Sequence, residues 1–173
     1  MTDIANTDEL FFTRAGLDRT RVERLVSDAL GKADDGELFL EYEQSESFVF
    51  DDGKLKNASF DTSQGFGLRA VSGEMAGYSH SSELSEAAMK RASETIRAVQ
   101  AGHGGKMSDR PLQTNRALYV EDNPLNLEPF ENKVTLLSDI DAYARGLDDR
   151  VRQVSTSLSG SWQAVQIIRV DGS

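Results

Sequence analysis

Apolar and polar residues alternate with a period of two along residues 37–81, and turn signals separate the alternating runs. Leu38 to Glu43 and Phe66 to Ala70 each place apolar side chains on one side, which is typical of half-buried strands. Asp51 to Lys54 contains an Asp-Gly hairpin signal, and Ser72 to Glu74 turns the chain again. The pattern predicts a β-meander of neighbouring antiparallel strands, with shorter β-type runs at Phe48–Phe50 and Leu55–Phe60.

The chain on either side of this region has the longer period of helices. Thr7 to Ala15 predicts a short helix with Gly16 at its end, and Asp18 is placed to cap a second helix that runs to about Leu30. A third helix follows the meander, with an apolar stripe made of Leu84, Ala88, Ala92, Ile96 and Val99. We expect this stripe to pack on one face of the sheet, because both surfaces are buried in that way.

Residues 102–127 lack any period, because glycines and prolines interrupt them. We expect a linker here, with at most a short strand at Ala117–Val120. From about Glu128 a fourth helix is predicted, whose apolar side consists of Val134, Leu137, Ile140 and Ala144.

The last β-rich stretch, residues 150–170, predicts a hairpin that turns at Ser159–Ser161. Asp171 to Ser173 looks like the start of another hairpin turn without a partner strand. We therefore expect these residues to be the front part of a longer polypeptide.

Together these patterns predict an α+β fold: an antiparallel β-meander with helices packed on one face, then a linker and the truncated start of a second α+β unit. The expected division is N-terminal helices in 1–35, the meander with its helix in 36–103, the linker in 104–127, and a helix with a β-hairpin in 128–173.

Composition excludes several classes of protein. The 19 basic and 29 acidic residues give a net charge of −10, which disfavours direct binding to nucleic acid. No cysteine is present, so disulfides, thiolate metal sites and cysteine nucleophiles are absent from this sequence. No apolar run has membrane-spanning length, and the acidic N-terminus is unlike a signal peptide, so we expect a cytoplasmic protein that does not enter a membrane.

The run Gly65-Phe66-Gly67-Leu68-Arg69-Ala70 matches the relaxed dinucleotide fingerprint G-x-G-x-x-A. That fingerprint needs a helix to open directly after it, because the N-terminus of the helix holds the pyrophosphate. The residues that follow have turn and strand character. We therefore interpret the two glycines as positions of close packing or of a bulge within a strand.

The other candidates for chemistry have simpler interpretations. The aspartate pairs at 34–35, 51–52 and 148–149 lie beside predicted turns, where Asp bonds to nearby backbone. His80 and His103 are too few and too far apart for a zinc site, and no serine lies in a nucleophile elbow. No catalytic or metal-binding residue is therefore predicted within this chain.

Arg69 and Glu74 are the two residues to which we assign a substrate or partner surface. Arg69 is expected to project from its strand opposite the Phe66, Leu68 and Ala70 side, with Glu74 in the next turn. The alternative is an ion pair between them or a solvated face. Trp162 is expected to pack and not to recognise a ligand.

The meander resembles the N-terminal domain of the TldD/PmbA (TldE) family of zinc metallopeptidases. The resemblance lies in Ser45-Glu46-Ser47, Asp52-Gly53-Lys54, Gln64 to Glu74 and Gly77-Tyr78, and it continues through Val151 to Gly160. The run Arg-Ala-Val-Ser-Gly-Glu at 69–74 is similar to the TldD branch. The match covers most of the chain beyond its first residues.

This resemblance implies a cytoplasmic peptidase that acts on unfolded proteins or peptides and pairs with a PmbA/TldE-type subunit. Such proteins carry a His-Glu-x-x-x-His helix, in which the histidines hold zinc and the glutamate is the general base. That motif is absent from this sequence. We therefore expect zinc in the full-length protein, and a fragment that binds no cofactor and is inactive alone.

Two functions remain open from the sequence. In the first, these residues are a scaffold that shapes substrate access in a TldD-like metallopeptidase. In the second, they are a non-catalytic protein-interaction module of the DNA gyrase modulator type. The isolated fragment is also expected to expose apolar surface and to associate with itself.

Overall fold

In the computed structural model of the protein, residues 7–100 and 122–169 are described, without the side chains of residues 99 and 100. They form three α-helices, α1 (Arg19–Leu30), α2 (Glu86–Gln100) and α3 (Phe130–Gly146). Four strands accompany them, β1 (Asp35–Asp51), β2 (Lys54–Ser72), β3 (Met75–Ser81) and β4 (Ser155–Arg169). A π-helical turn spans Glu9–Thr13, and a 3₁₀ turn spans Pro124–Asn126.

The strands form one antiparallel sheet in the order β3-β2-β1-β4. β2 and β3 pair from Phe66 opposite Ser81 to Ser72 opposite Met75. In the turn between β1 and β2, φ is positive at both Asp52 (51°) and Gly53 (73°). Two positive φ angles in succession are the backbone of a two-residue hairpin turn. The predicted meander, its Asp-Gly hairpin and the α+β class are therefore confirmed.

The strands are longer than the sequence pattern predicts. β1 has 17 residues and β2 has 19, so runs predicted as separate short strands are continuous. β4 has 15 residues and passes through Ser159–Ser161, so the predicted hairpin at 150–170 is wrong. A Cβ atom on Gly160 would lie 2.9 Å from Cδ2 of Leu125. This glycine therefore makes room for a neighbouring side chain within a strand, where the sequence pattern indicated a turn.

The chain divides into two compact units, each assembled from separate segments. The first unit consists of residues 1–42, 63–120 and 164–173, and the second of residues 43–62 and 121–163. The sequential division with boundaries at 35, 103 and 127 stays a prediction. Most of the expected linker and its strand at 117–120, together with His103 and the final turn at 171–173, lie outside the described residues.

In the first unit, α2 packs against β3 and against α1. Asp18 caps α1, because its Oδ1 accepts a hydrogen bond from the N–H of Arg21 at 2.9 Å. Gly16 before it has a left-handed φ of 66°, and the predicted first helix is π-helical at residues 9–13. The predicted stripe of α2 is buried as far as it is described: Leu84, Ala88, Ala92 and Ile96, together with Met89.

In the second unit, α3 covers a core of Phe48, Phe50 and Leu137, against which Leu55, Val134 and Leu158 pack. Ile140 was predicted to join this core, but 43% of it is exposed, so that part of the prediction is wrong. Lys133 and Asp141 are buried on α3 instead. Each has a charged partner, and this is the condition under which charged side chains are buried.

Candidate functional site

The face of the sheet that points away from the core of the first unit carries a shallow trough of about 250 Å³. Along β1 the even-numbered Leu38 and Leu40 are buried, so the odd-numbered Phe39 and Glu41 point to the opposite face. β2 contributes two glycines to this face, and β3 contributes two rings. We call this site the glycine trough and define it by Phe39, Glu41, Gly65, Gly67, Tyr78 and His80.

Groups from β3 and its end cover the two glycines of the glycine trough. A Cβ atom on Gly67 would lie 2.7 Å from Oη and 3.0 Å from Cε2 of Tyr78, so the tyrosine ring lies over this glycine. A Cβ on Gly65 would lie 2.8 Å from the carbonyl oxygen of Ser81. Residues 65–70 lie inside β2, and no helix opens after them. The structure therefore agrees with glycines used for close packing and gives no helix N-terminus for a pyrophosphate.

Two stacked rings form the β3 wall of the trough. Tyr78 and His80 stack with their ring centroids 5.6 Å apart and an interplanar angle of 26°. His80 is opposite Gly67 and Tyr78 is opposite Arg69, so the tyrosine ring reaches diagonally across the strand pair. Tyr78 is 64% exposed, and its ring is therefore open to a ligand.

A cluster of four charged side chains lies on the same unit. Arg69 Nη1 is 3.4 Å from Asp35 Oδ2 and 3.4 Å from Glu37 Oε1. Arg169 Nη2 is 2.6 Å from Asp35 Oδ1. Arg69 thus bonds across the sheet and is not paired with Glu74, which is exposed in the β2–β3 turn. The role of Arg69 and Glu74 as a substrate or partner surface stays a prediction.

Among the predicted aspartate pairs, Asp34 and Asp148 bond to backbone as the sequence predicts. Asp35, Asp51 and Asp52 instead accept hydrogen bonds from side chains. Asp34 Oδ2 accepts a hydrogen bond from the N–H of Gly73 at 2.6 Å. Asp148 Oδ1 accepts one from the N–H of Arg150 at 2.8 Å, and the Arg150 guanidinium bonds to the same carboxylate. The side-chain bonds first, and then the backbone bond, lower the pKa of Asp148 below its usual value.

Within residues 7–100 and 122–169, no group of three or more His, Asp or Glu side chains is placed to hold a metal ion. None of the helices in that part of the chain is long and apolar enough to cross a membrane.

A second surface, on α3, was not predicted as such. Four large apolar residues recur at i, i+4, i+7 and i+11, and each is 43–72% exposed: Leu136, Ile140, Tyr143 and Leu147. At about 100° per residue these positions share one flank of the helix, beside the face that meets the sheet. We call them the α3 stripe. Their spacing was visible in the sequence, but Ile140 had been assigned to the core.

The sequence matches one family model and several named relatives. A family model described as PmbA/TldA metallopeptidase domain 1 matches residues 36–101. A metalloprotease TldD homolog of Haemophilus influenzae is 34% identical over 142 residues, which cover 80% of this chain and 30% of that protein. A metalloprotease TldD homolog of Buchnera aphidicola is 30% identical over 141 residues, which cover 80% of this chain and 29% of that protein. The chain thus spans less than a third of the length of these relatives.

Solved structures share the fold at low identity. A protein of Bacteroides thetaiotaomicron described as a candidate modulator of DNA gyrase has a TM-score of 0.68 at 14% identity, covering 88% of this chain and 37% of that one. TldE of Thermococcus kodakarensis has a TM-score of 0.60 at 14% identity, covering 86% of this chain and 34% of that one. The first-domain match and the TldD homologs fit a fragment of a TldD-type protein, in agreement with the resemblance seen in the meander.

Proposed function

We propose that this chain is a scaffold and substrate-access domain of a TldD-like zinc metallopeptidase that cleaves unfolded proteins or peptides. The observation that carries the proposal is the match of residues 36–101 to the first domain of the family, together with 34% identity to a metalloprotease TldD homolog. In this proposal the sheet and its open face limit and guide the access of the peptide substrate to the reaction centre, which lies elsewhere in the full-length protein.

The metal is assigned to the full-length protein for a chemical reason. The names of the relatives imply a metal in the family. Zinc sites in peptidases need about three protein ligands, usually with histidine among them. His80, the histidine within the described residues, stacks on Tyr78 and has no further His, Asp or Glu grouped with it as a ligand set. The described residues therefore do not fit a zinc centre, and no step of the reaction is assigned to them.

The α3 stripe supports a role in assembly. Exposed apolar patches of this kind mark surfaces that other protein covers. Since the matched relatives are more than three times as long as the matched region, we assign the stripe to contact with the rest of a TldD-type polypeptide. A PmbA/TldE-type subunit is the proposed partner of the whole protein, and the proposed location is the cytoplasm.

The test uses the full-length protein together with its TldE-type partner. An unfolded peptide should be cleaved when zinc is present, cleavage should stop after chelation and return with added zinc, and the 173-residue chain alone should cleave nothing. A zinc-replete full-length pair that leaves every unfolded peptide intact would count against the proposal.

The alternative is a non-catalytic interaction module that docks on a protein such as a topoisomerase. It has weaker support, because the neighbours with gyrase-modulator names are only 13–14% identical and give the fold alone. The coding sequence of the full-length protein separates the two functions: an intact His-Glu-x-x-x-His motif favours the peptidase, and its absence favours the module.

A further inference from the structure

We propose that the glycine trough binds a positively charged side chain, arginine or lysine, of a polypeptide ligand. Three features of the trough lead to this ligand: exposed aromatic faces, a carboxylate in the part of the lining that β1 supplies, and a shallow shape. None of these features depends on peptidase activity, so the proposal stands apart from the function proposed above.

The aromatic wall supplies the first interaction. Tyr78 is 64% exposed and stacks on His80, which holds the tyrosine ring in place over Gly67. A cation over the face of an exposed aromatic ring is attracted by the ring quadrupole, and the attraction is greatest when the cation is partly shielded from water. Phe39 on β1 adds a further aromatic side chain to the lining.

The carboxylate supplies the second interaction. Glu41 lines the trough from β1, on the side opposite the rings of β3. Glu41 has an interaction of its own within the protein. A carboxylate offers two oxygens and about four acceptor sites, so it can accept from more than one N–H donor at a time. The net charge of −10 adds a longer-range field that favours cations over anions.

The shallow shape of the trough decides the shape of the ligand. The Tyr78 ring covers Gly67 and the carbonyl oxygen of Ser81 lies beside Gly65, so a ligand group would lie on the outer face of the ring and not on the backbone of β2. A guanidinium is planar, stacks on aromatic rings and is weakly hydrated, so it suits a shallow space between a ring and a carboxylate better than a compact ammonium does. Arginine is therefore the preferred side chain, and lysine the weaker one.

The experiment compares two peptides of nearly identical shape. The ¹⁵N-labelled 173-residue chain is titrated with acetyl-Gly-Arg-Gly-amide, and in parallel with the citrulline peptide, which keeps the planar end group but has no charge. Shifts of the amide resonances of Gly65, Gly67 and Tyr78 give the Kd at about 0.15 M salt. We expect millimolar binding of the arginine peptide and binding of the citrulline peptide weaker by roughly fivefold to tenfold.

Three variants test the assignment to the trough. Glu41→Gln removes the carboxylate charge and should weaken arginine binding at least threefold. Tyr78→Leu keeps an apolar side chain and removes the ring, with a similar or larger effect. Glu94→Gln is the matched control, because it makes the same charge change at an exposed position of α2 outside the trough, and it should leave the Kd unchanged.

Each result decides the proposal. A preference for arginine that Glu41→Gln and Tyr78→Leu reduce and Glu94→Gln does not would support it. Equal binding of arginine and citrulline would overturn it in favour of an uncharged apolar ligand. Equal weakening by Glu41→Gln and Glu94→Gln would overturn it in favour of general attraction to an acidic surface. The absence of any shift at these amides up to 10 mM peptide would also overturn it.

Discussion

Replacement of Lys133 by methionine should destabilise the second unit far more than an exposed charge deletion does. The Nζ of Lys133 lies 2.7 Å from both carboxylate oxygens of Glu46 and donates to the carbonyl oxygen of Leu125 at 2.7 Å. The two side chains are only 9% and 6% exposed. All three donors of the ammonium are therefore satisfied, inside a shell that excludes water. Phe48 closes this shell, with its ring centroid 5.8 Å from Nζ.

The magnitude follows from what the substitution leaves behind. Methionine fills most of the volume of the lysine stem, so the cost comes mainly from Glu46, whose charge stays buried without its partner. Breaking a buried pair in this way costs about 3–5 kcal/mol, whereas removing both charges together is often close to neutral. Lys133→Met should therefore cost about 3–5 kcal/mol, and the double variant with Glu46→Leu about 1–2 kcal/mol, because the Leu125 carbonyl still loses its donor.

Trp162 makes the measurement specific. It is the only tryptophan of the chain, and it lies in the same unit as Lys133. Urea unfolding followed by its fluorescence should give the free energy of that unit, and Tm should fall by about 6–20 °C for the single variant. Arg150→Met is the matched control, since Arg150 is 90% exposed in its pair with Asp148, and exposed pairs contribute little to stability.

Two results would refute this reasoning. If Lys133→Met cost no more than Arg150→Met, the ion pair would not be buried as described. If the double variant were as unstable as the single one, the cost would come from lost packing around α3 and not from the unpaired carboxylate of Glu46.

Three further predictions concern other parts of the chain. Asp18→Ala should destabilise the first unit by about 0.5–2 kcal/mol through loss of the α1 cap, measured by urea unfolding. Arg150→Gln should raise the pKa of Asp148 in an NMR titration; because the folded pKa is lowered, the stabilisation from this pair is present above the unfolded pKa and is lost as pH falls through the folded one. The double variant Tyr143→Ser/Leu147→Ser should reduce the self-association of the 173-residue chain, measured by sedimentation, and its fluorescence with a hydrophobic dye. If self-association were unchanged, the α3 stripe would not be its cause.

The sequence pattern predicted those structural elements that depend on residues close together in the chain. The Asp-Gly hairpin needs two residues with positive φ, and Asp52 and Gly53 provide them. The cap at Asp18 needs only a donor three residues away. The stripe of α2 also repeats within one helix. Each of these features depends on residues that are close in sequence, so the pattern of the chain was sufficient to find them.

The failures have causes that are distant in sequence. Lys133 is buried because its ammonium donates to the carboxylate of Glu46, which lies 87 positions earlier in the chain. The pattern of apolar residues along α3 carries no information about that partner. The same pattern placed Ile140 in the core, although it belongs to the α3 stripe. The glycine trough required the register of β2 and β3, since only the pairing of Gly67 with His80 brings Tyr78 over the glycine.

Two glycines with opposite sequence interpretations have the same physical function. Gly67 was read as a packing position and Gly160 as a turn, yet both lie within strands and both receive a neighbouring side chain where Cβ would be: Tyr78 in the first unit and Leu125 in the second. A glycine within a strand costs backbone conformational entropy on folding. That cost is offset where another group packs into the space that a side chain would occupy. At Gly160 the group is the side chain of Leu125 in the 3₁₀ turn. The carbonyl oxygen of Leu125 accepts a hydrogen bond from Lys133, so the glycine helps to position the buried ion pair. At Gly67 the group is the ring of Tyr78, which packs over the glycine on one side and is exposed on the other. The glycine therefore positions an aromatic face that is open to a ligand.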